Sequence, residues 1–280
     1  IRDLKKKIVD SFFDNKIIYS FVKPSTIVFS EYGSTEISFV NISNGHYFEI
    51  ETPLNETASI HSEIDHIVIS SLNSVVNVYK SQDGRDESVL KLTKSSSSDS
   101  FYHHAKSFVQ IGSIPSYSSK IPCVQLSEAF NLIVNGTKDG SIVISSLTNL
   151  SIQHTIQLEN NAKPIDIKIS PNWGFIVVYA VEFLINTKCF FIFTINGKLI
   201  NKIKIDCEVC SMITYGDSSS FDHLAYVDNE ENLYETEIYD FCANEPKFKF
   251  PQQIVGFTYN KIDKCFVGVS EDGNVYMCFT

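Results

Sequence analysis

A tight turn comes back along this chain at nearly constant distance. Gly33, Asn73, Gly140, Thr187, Asn232 and Gly273 each separate two short apolar runs, at successive spacings of 40, 67, 47, 45 and 41 residues. The long interval holds a Ser-rich stretch at about 94–120 (KSSSSDSFYHHAKSFVQIGSIPSYSSK). Removing about 27 residues brings it back to 40. Six units follow, roughly 16–53, 57–93, 120–158, 163–206, 207–250 and 252–280, the last with three strands only.

The runs themselves read as strands. Ile165, Ile167 and Ile169 alternate with Asp166 and Lys168, and Ile203 and Ile205 alternate with Lys202 and Lys204. Turn dipeptides break them at Asn44-Gly45, Asp83-Gly84, Asn135-Gly136, Asp139-Gly140, Asn196-Gly197 and Asp272-Gly273. With 21 Phe and 13 Tyr beside many Ile and Val, the side chains suit a pleated, half-buried surface. A four-stranded unit cannot cover both its faces alone, so stacking such units is the physical solution. The expectation is an all-β, WD-repeat-like β-propeller of six to seven four-stranded blades, closed or as an incomplete ring, over residues 16–280. Ahead of it, residues 1–15 place Ile1, Leu4, Ile8 and Phe12 at helical spacing, and a short helix or leader is expected there.

The expected outermost strands read KLTK (91–94), KIKI (202–205) and KFKF (247–250). Lysine along an unpaired edge blocks edge-to-edge association, a more economical reading than a phosphoinositide stripe. A net charge of −10, with Arg2 and Arg85 the only arginines, argues against a nucleic-acid surface. Trp173 to Ile185 is too short to span a bilayer and carries Glu182. Seven cysteines without regular spacing and no signal peptide point to reduced thiols and a cytoplasmic location, any membrane association being indirect. The chain opens on Ile1, so a longer parent protein is expected.

Four segments carry a family likeness: HIVISSLNSVVNVYK (66–80), FNLIVNGTKDGSIVISSLTNLSIQHTIQL (130–158), FFIFTINGKLINKIKI (190–205) and FTYNKIDKCFVGVSEDGNVYMCF (257–279). From about residue 65 onward, three-quarters of the chain, the sequence resembles the carboxy-terminal WD-repeat propeller of BEACH-domain proteins. Asp139 and Asp272 match the turn aspartate of WD repeats, but the chain has no Gly-His pair and no Trp-Asp pair, its lone Trp173 preceding Gly174. The resemblance implies a non-catalytic, protein-binding scaffold linked to membrane traffic or autophagy. Its partners would be proteins, among them a BEACH domain upstream in the parent chain. The alternatives are a propeller from a vesicle-coat or nuclear-pore assembly and, from another class, a propeller hydrolase or lyase.

Candidates for chemistry are few. Cys207-Glu-Val-Cys210 lacks the second ligand pair that zinc needs. Asp65-His66 and Asp222-His223 are neighbours on strands, so their side chains point to opposite faces. His103-His104 lie in the Ser-rich stretch. The expected innermost strands, CVQLS (123–127), IDIKIS (165–170) and IVGFTY (254–259), offer only Asp166 and Lys168 as charges. No catalytic residue, metal site or cofactor is expected. Asp139, Gly140, Asn196, Gly197, Asp272 and Gly273 are expected to shape turns. Partner contacts are expected from Phe101, Tyr102, His103, Phe108, Ile114 and Tyr117 in the insertion, joined by Lys138 and Asp139. The insertion is expected between the fourth strand of the second unit and the first strand of the third, on the same face as the Asp139-Gly140 and Asp272-Gly273 turns.

Overall fold

The structure, a computed structural model, describes residues 17–22, 26–41, 47–51, 56–82, 107–115, 120–182, 184–216, 221–241, 245–270 and 272–279. These residues form strands and turns, with one 3-10 turn at Glu159–Asn161. The first sheet holds β1 (Ile17–Val22), β2 (Thr26–Glu31), β3 (Glu36–Asn41) and β4 (Tyr47–Glu51). The second holds β5 (Thr57–Glu63), β6 (His66–Ser71), β7 (Val75–Gln82) and β8 (Ser107–Pro115). The third runs β9 (Cys123–Ser127), β10 (Leu132–Gly136), β11 (Ser141–Ser146), β12 (Ile152–Gln157). The fourth runs β13 (Ala162–Ile169), β14 (Ile176–Glu182), β15 (Thr187–Phe193), β16 (Leu199–Ile205). The fifth contains β17 (Val209–Gly216), β18 (Asp222–Asp228), β19 (Asn232–Glu237) and the short β20 (Phe248–Lys249). The sixth contains β21 (Ile254–Asn260), β22 (Cys265–Ser270) and β23 (Val275–Phe279).

Within each sheet the strands lie in chain order and pair antiparallel. The first strands of successive sheets, β1, β5, β9, β13, β17 and β21, pack side by side. The architecture is all-β and β-propeller-like. Because each inner sheet is covered on both faces, its central strands are apolar at consecutive positions. Ile176, Val177, Val178, Tyr179 and Ala180 of β14 are all buried, as are Cys189 to Phe193 of β15.

The core is distributed over the junctions between sheets. Val28, Ile37 and Phe39 of the first sheet meet Ile60, Ile67, Ile69 and Tyr79 of the second. Val68, Val76, Val78 and Ile114 meet Val124, Leu126 and Ile133. Val134, Ile142 and Ile144 pack on Ile167, Ile176, Val178 and Phe191. Phe190 of the fourth sheet lies 5.1 Å from Tyr226 and 5.7 Å from Phe241, ring to ring. Tyr215, Val227 and Leu233 meet Ile254, Phe257 and Phe266 of the sixth sheet.

Four of the landmark residues, Gly33, Asn73, Gly140 and Gly273, lie in the connection between the second and third strand of their sheets, and Thr187 and Asn232 open the third strand directly after it. Among the described residues the sixth sheet has three strands, the number read for the sixth unit. Two local readings are corrected. Asn135-Gly136 is not a turn: both residues belong to β10, paired to Val124 and Cys123. The fourth strand of the second sheet is not KLTK but β8, which pairs along its whole length with β7, from Val75↔Pro115 to Gln82↔Ser107. About a third of the expected insertion is therefore sheet. The part ahead of Ser107 joins the third strand to the fourth, and only the part after Pro115 joins this sheet to the next. The helix expected at 1–15 and the KLTK residues themselves lie outside the described residues.

Candidate protein-interaction surface

Antiparallel order gives the stack two ends. The upper end carries the connections between second and third strands, together with the links from each sheet to the next. The lower end carries the first-to-second and third-to-fourth connections.

At the upper end the turn residues do what their chemistry dictates. Gly140 has φ +92°, and a Cβ there would stand 2.7 Å from the Ala162 carbonyl oxygen. Asp139 accepts a hydrogen bond from the Thr137 hydroxyl, and the Ser141 amide donates to Thr137 Oγ1 at 3.1 Å. Lys138 and Asp139 remain exposed beside this knot. Gly273, at φ +79°, donates its amide to Ser270 O at 2.9 Å, and Asp272 accepts from Gln252 Nε2 at 2.9 Å. Asn196-Gly197, with Gly197 at φ +77°, forms the β15–β16 turn and so lies at the opposite, lower end.

The two ends of the β7–β8 connection, Gln82 and Ser107, lie at the lower end. β7 runs down from its turn at the upper end, and the chain leaves it at Gln82 and re-enters β8 at Ser107. For the part ahead of Ser107 the pairing of β8 thus reverses the expectation of a shared face with Asp139-Gly140, while the link after Pro115 does leave β8 on that face. Phe101, Tyr102, His103 and Tyr117 lie outside the described residues. Phe108 and Ile114, read as anchors for a partner, point into the stack instead. The Phe108 ring stacks on Phe39 at 5.3 Å, and Ile114 is buried in the junction with the third sheet.

What the lower end does display was not legible in the motifs. Ile64, Trp173, Phe221 and Ile262 are exposed on the first-to-second connections of the second, fourth, fifth and sixth sheets. Trp173 and Phe221 share one junction, because the Trp173 amide donates to Asp222 Oδ2 at 2.8 Å.

Beneath those apolar side chains, carboxylates tie neighbouring sheets together. Asp222 is buried and also accepts from the Ser170 hydroxyl and, at 3.1 Å, from the Asn172 amide. Glu128 of the third sheet accepts from the Asp65 amide at 2.8 Å, the His66 amide at 3.0 Å and His66 Nδ1 at 3.0 Å. Asp65-His66 and Asp222-His223 are thereby structural pairs, with His223 on the far side of its strand, stacked on Tyr215 at 5.1 Å.

The innermost strands hold polar groups that the sequence reading did not name, His61 the most perturbed of them. His61 of β5 is half-buried, and desolvation by the protein packed around it, assisted by Lys168, pushes its pKa down to about 3. Its Nδ1 accepts the Leu126 amide at 3.2 Å, so the neutral ring carries its proton on Nε2; the Gln125 side-chain amide lies 2.7 Å from Nε2 and accepts that proton through its oxygen when the amide is turned about its last bond. Both nitrogens are occupied by protein, which leaves His61 a linker between the second and third sheets. Asp166 and Lys168 face each other at 3.0 Å. Burial raises the thiol pKa of both Cys207 and Cys210, and both are free. Among the described residues no group of three or more His, Cys, Asp and Glu side chains is placed to hold a metal ion.

No protein-family model matches the chain, and no curated protein matches it. Among solved structures the fold is similar to the computationally designed Ika8 protein, with a TM-score of 0.65 and 12% identity over 94% of this chain and 71% of that one. It is also similar to BBS1N, solved in complex with ARL6DN, with a TM-score of 0.64 and 9% identity over 91% of this chain and 74% of that one. At such identities the likeness is one of fold alone.

Proposed function

We propose that this chain is a non-catalytic protein-interaction platform: a WD-repeat-type propeller of a BEACH-type scaffold linked to membrane traffic or autophagy. The observation that carries the reading is the contrast within the lower end. Trp173, Phe221, Ile64 and Ile262 stand exposed, while the polar groups nearest to them are consumed in tying sheet to sheet. Exposed aromatic and aliphatic side chains grouped on one face suit a protein partner, since rigid rings give large contact area at low entropic cost. The likeness to BBS1N, a domain solved with a protein partner bound, agrees with a binding role.

The test compares two surfaces on the same fold. The lower-end variant carries Trp173→Ser, Phe221→Ser and Ile262→Ser; the upper-end variant carries Leu184→Ser and Ile185→Ser, two further exposed residues. Each is used to capture partners from a cytoplasmic extract, with recovery quantified by mass spectrometry. Partners recovered by the wild type and the upper-end variant but lost roughly tenfold or more from the lower-end variant support the reading. Equal recovery by all three proteins overturns it. A BEACH domain encoded ahead of Ile1 would favour the scaffold, and a helical solenoid there the coat or pore alternative.

A further inference from the structure

The last strand of the sixth sheet is unlike the outermost strand of any other sheet. Outermost strands elsewhere show polar side chains to solvent: Glu49 on β4, Gln153 and His154 on β12, Lys204 on β16, Lys249 on β20. β23 reads VYMCF, with no charge and no proline, and among the described residues it pairs on one side only, with β22. Its row Val275, Met277, Phe279 is 63%, 50% and 69% exposed. That row shares its sheet face with Val267 and Val269 of β22, opposite the face that packs on the fifth sheet. An uncharged apolar edge with free backbone donors and acceptors is the arrangement that folded proteins otherwise avoid, because it templates pairing with another strand.

We propose that β23 is a self-association edge, and that its occupant is β23 of a second copy of this chain. The strand is self-complementary. Pairing two copies antiparallel about Met277 sets Val275 of one against Phe279 of the other, Tyr276 against Cys278, and Met277 against Met277. Each large side chain meets a smaller or flexible one, no charge is buried, and the two exposed rows join into one apolar strip. A two-fold axis through Met277 makes the contact isologous, so association stops at the dimer. The edge amides and carbonyls gain partners, and two three-stranded sheets become one of six. Repulsion between two bodies of net charge −10 opposes the contact at long range, so the dimer strengthens as salt screens it.

The experiment measures the mass of the full chain by analytical ultracentrifugation over a range of protein and salt concentrations. The expected species has twice 31.6 kDa, and its fraction rises with protein and with salt. Met277→Lys places like charges against each other on the axis and should return the protein to a single-copy mass. Met277→Glu should do the same alone, while an equimolar mixture of the two variants should restore the dimer. Leu184→Lys, at an exposed position away from β23, should leave the dimer unchanged. Circular dichroism of each variant checks that the strands persist. A wild type that stays monomeric at every concentration overturns the proposal, and so does a dimer that survives both single variants. Monomeric protein with β23 amides protected from hydrogen exchange overturns it too, since the chain would then cover the edge itself.

Discussion

The junction between the fourth and fifth sheets and the outward face of the sixth carry the same kind of side chain in opposite surroundings. In the junction, Val177, Tyr179, Phe190 and Ile192 project from one sheet onto Met212, Leu224 and Tyr226 of the next, and all are buried. The corresponding outward positions of the sixth sheet, Val269, Val275 and Met277, are apolar as well, yet no sheet of the described chain lies on them. Apolar patterning along a strand therefore says which face is built for contact. Whether that face is buried is decided by the neighbour.

The sharpest way to break this comparison is to truncate one residue on each side of it. Phe190→Ala should cost about 3–5 kcal/mol, because the cavity left among Tyr179, Tyr226 and Phe241 cannot collapse within a sheet. Val269→Ala should cost about 0.5 kcal/mol or less, since solvent already reaches that side chain. Urea midpoints of the two variants check both; equal losses would mean that the outward face is packed after all.

A smaller effect belongs to the polar ties. Asp222→Ala removes the acceptor for the Ser170 hydroxyl and the Asn172 and Trp173 amides, and should cost about 1–3 kcal/mol. Hydrogen exchange should locate the loss. Amides at 170–175 should open, and those of β21 to β23 should not respond.

The gentlest handle is pH. His61 has its folded pKa pushed down to about 3, below its value of about 6.5 in an unfolded chain. Between those values the unfolded state binds a proton that the folded state refuses, so stability falls as pH is lowered from 6.5 toward 3. The slope expected from this one group is about 1.4 kcal/mol per pH unit. Above pH 6.5 both states are neutral and the slope from His61 vanishes. Urea titrations at pH 7 and pH 5 measure it; His61→Gln should flatten the difference, and an unchanged difference would assign the loss to other groups.

Much of the fold was legible because turns and strands leave local signals. The turn at Gly140 needs a positive φ, and strands such as β14 need β-branched and aromatic residues; both requirements show in the letters. The fourth strand of the second sheet was hidden for the opposite reason. SFVQIGSIP holds two serines, a glycine and a terminal proline, and reads as loop. Gly112 is there for close approach, since a Cβ would run into Leu150 Cδ1 of the third sheet. That contact spans two sheets and leaves no trace in the local sequence.

The candidate surface was harder still to read. Phe108 was singled out because an aromatic in a Ser-rich stretch looks exposed, and its partner Phe39 lies in another sheet. Trp173 and Phe221 stand on short turns of different sheets, and the link between them runs through Asp222 and the Trp173 amide. Glu128 likewise grips a turn 62 residues away. Nothing in the period of the repeat announces a tie between one turn and the next sheet.

The placing of those carboxylates has a mechanical consequence. Every covalent crossing from one sheet to the following one is made at the upper end, so each junction is a book bound along a single spine. Glu128 and Asp222 act as latches on the open fore-edge of two such books, between the second and third sheets and between the fourth and fifth. A load that spreads the pages from below meets those latches before it meets the apolar leaves behind them. Junctions held by a latch should therefore yield abruptly under force, while one held by packing alone should peel open by degrees.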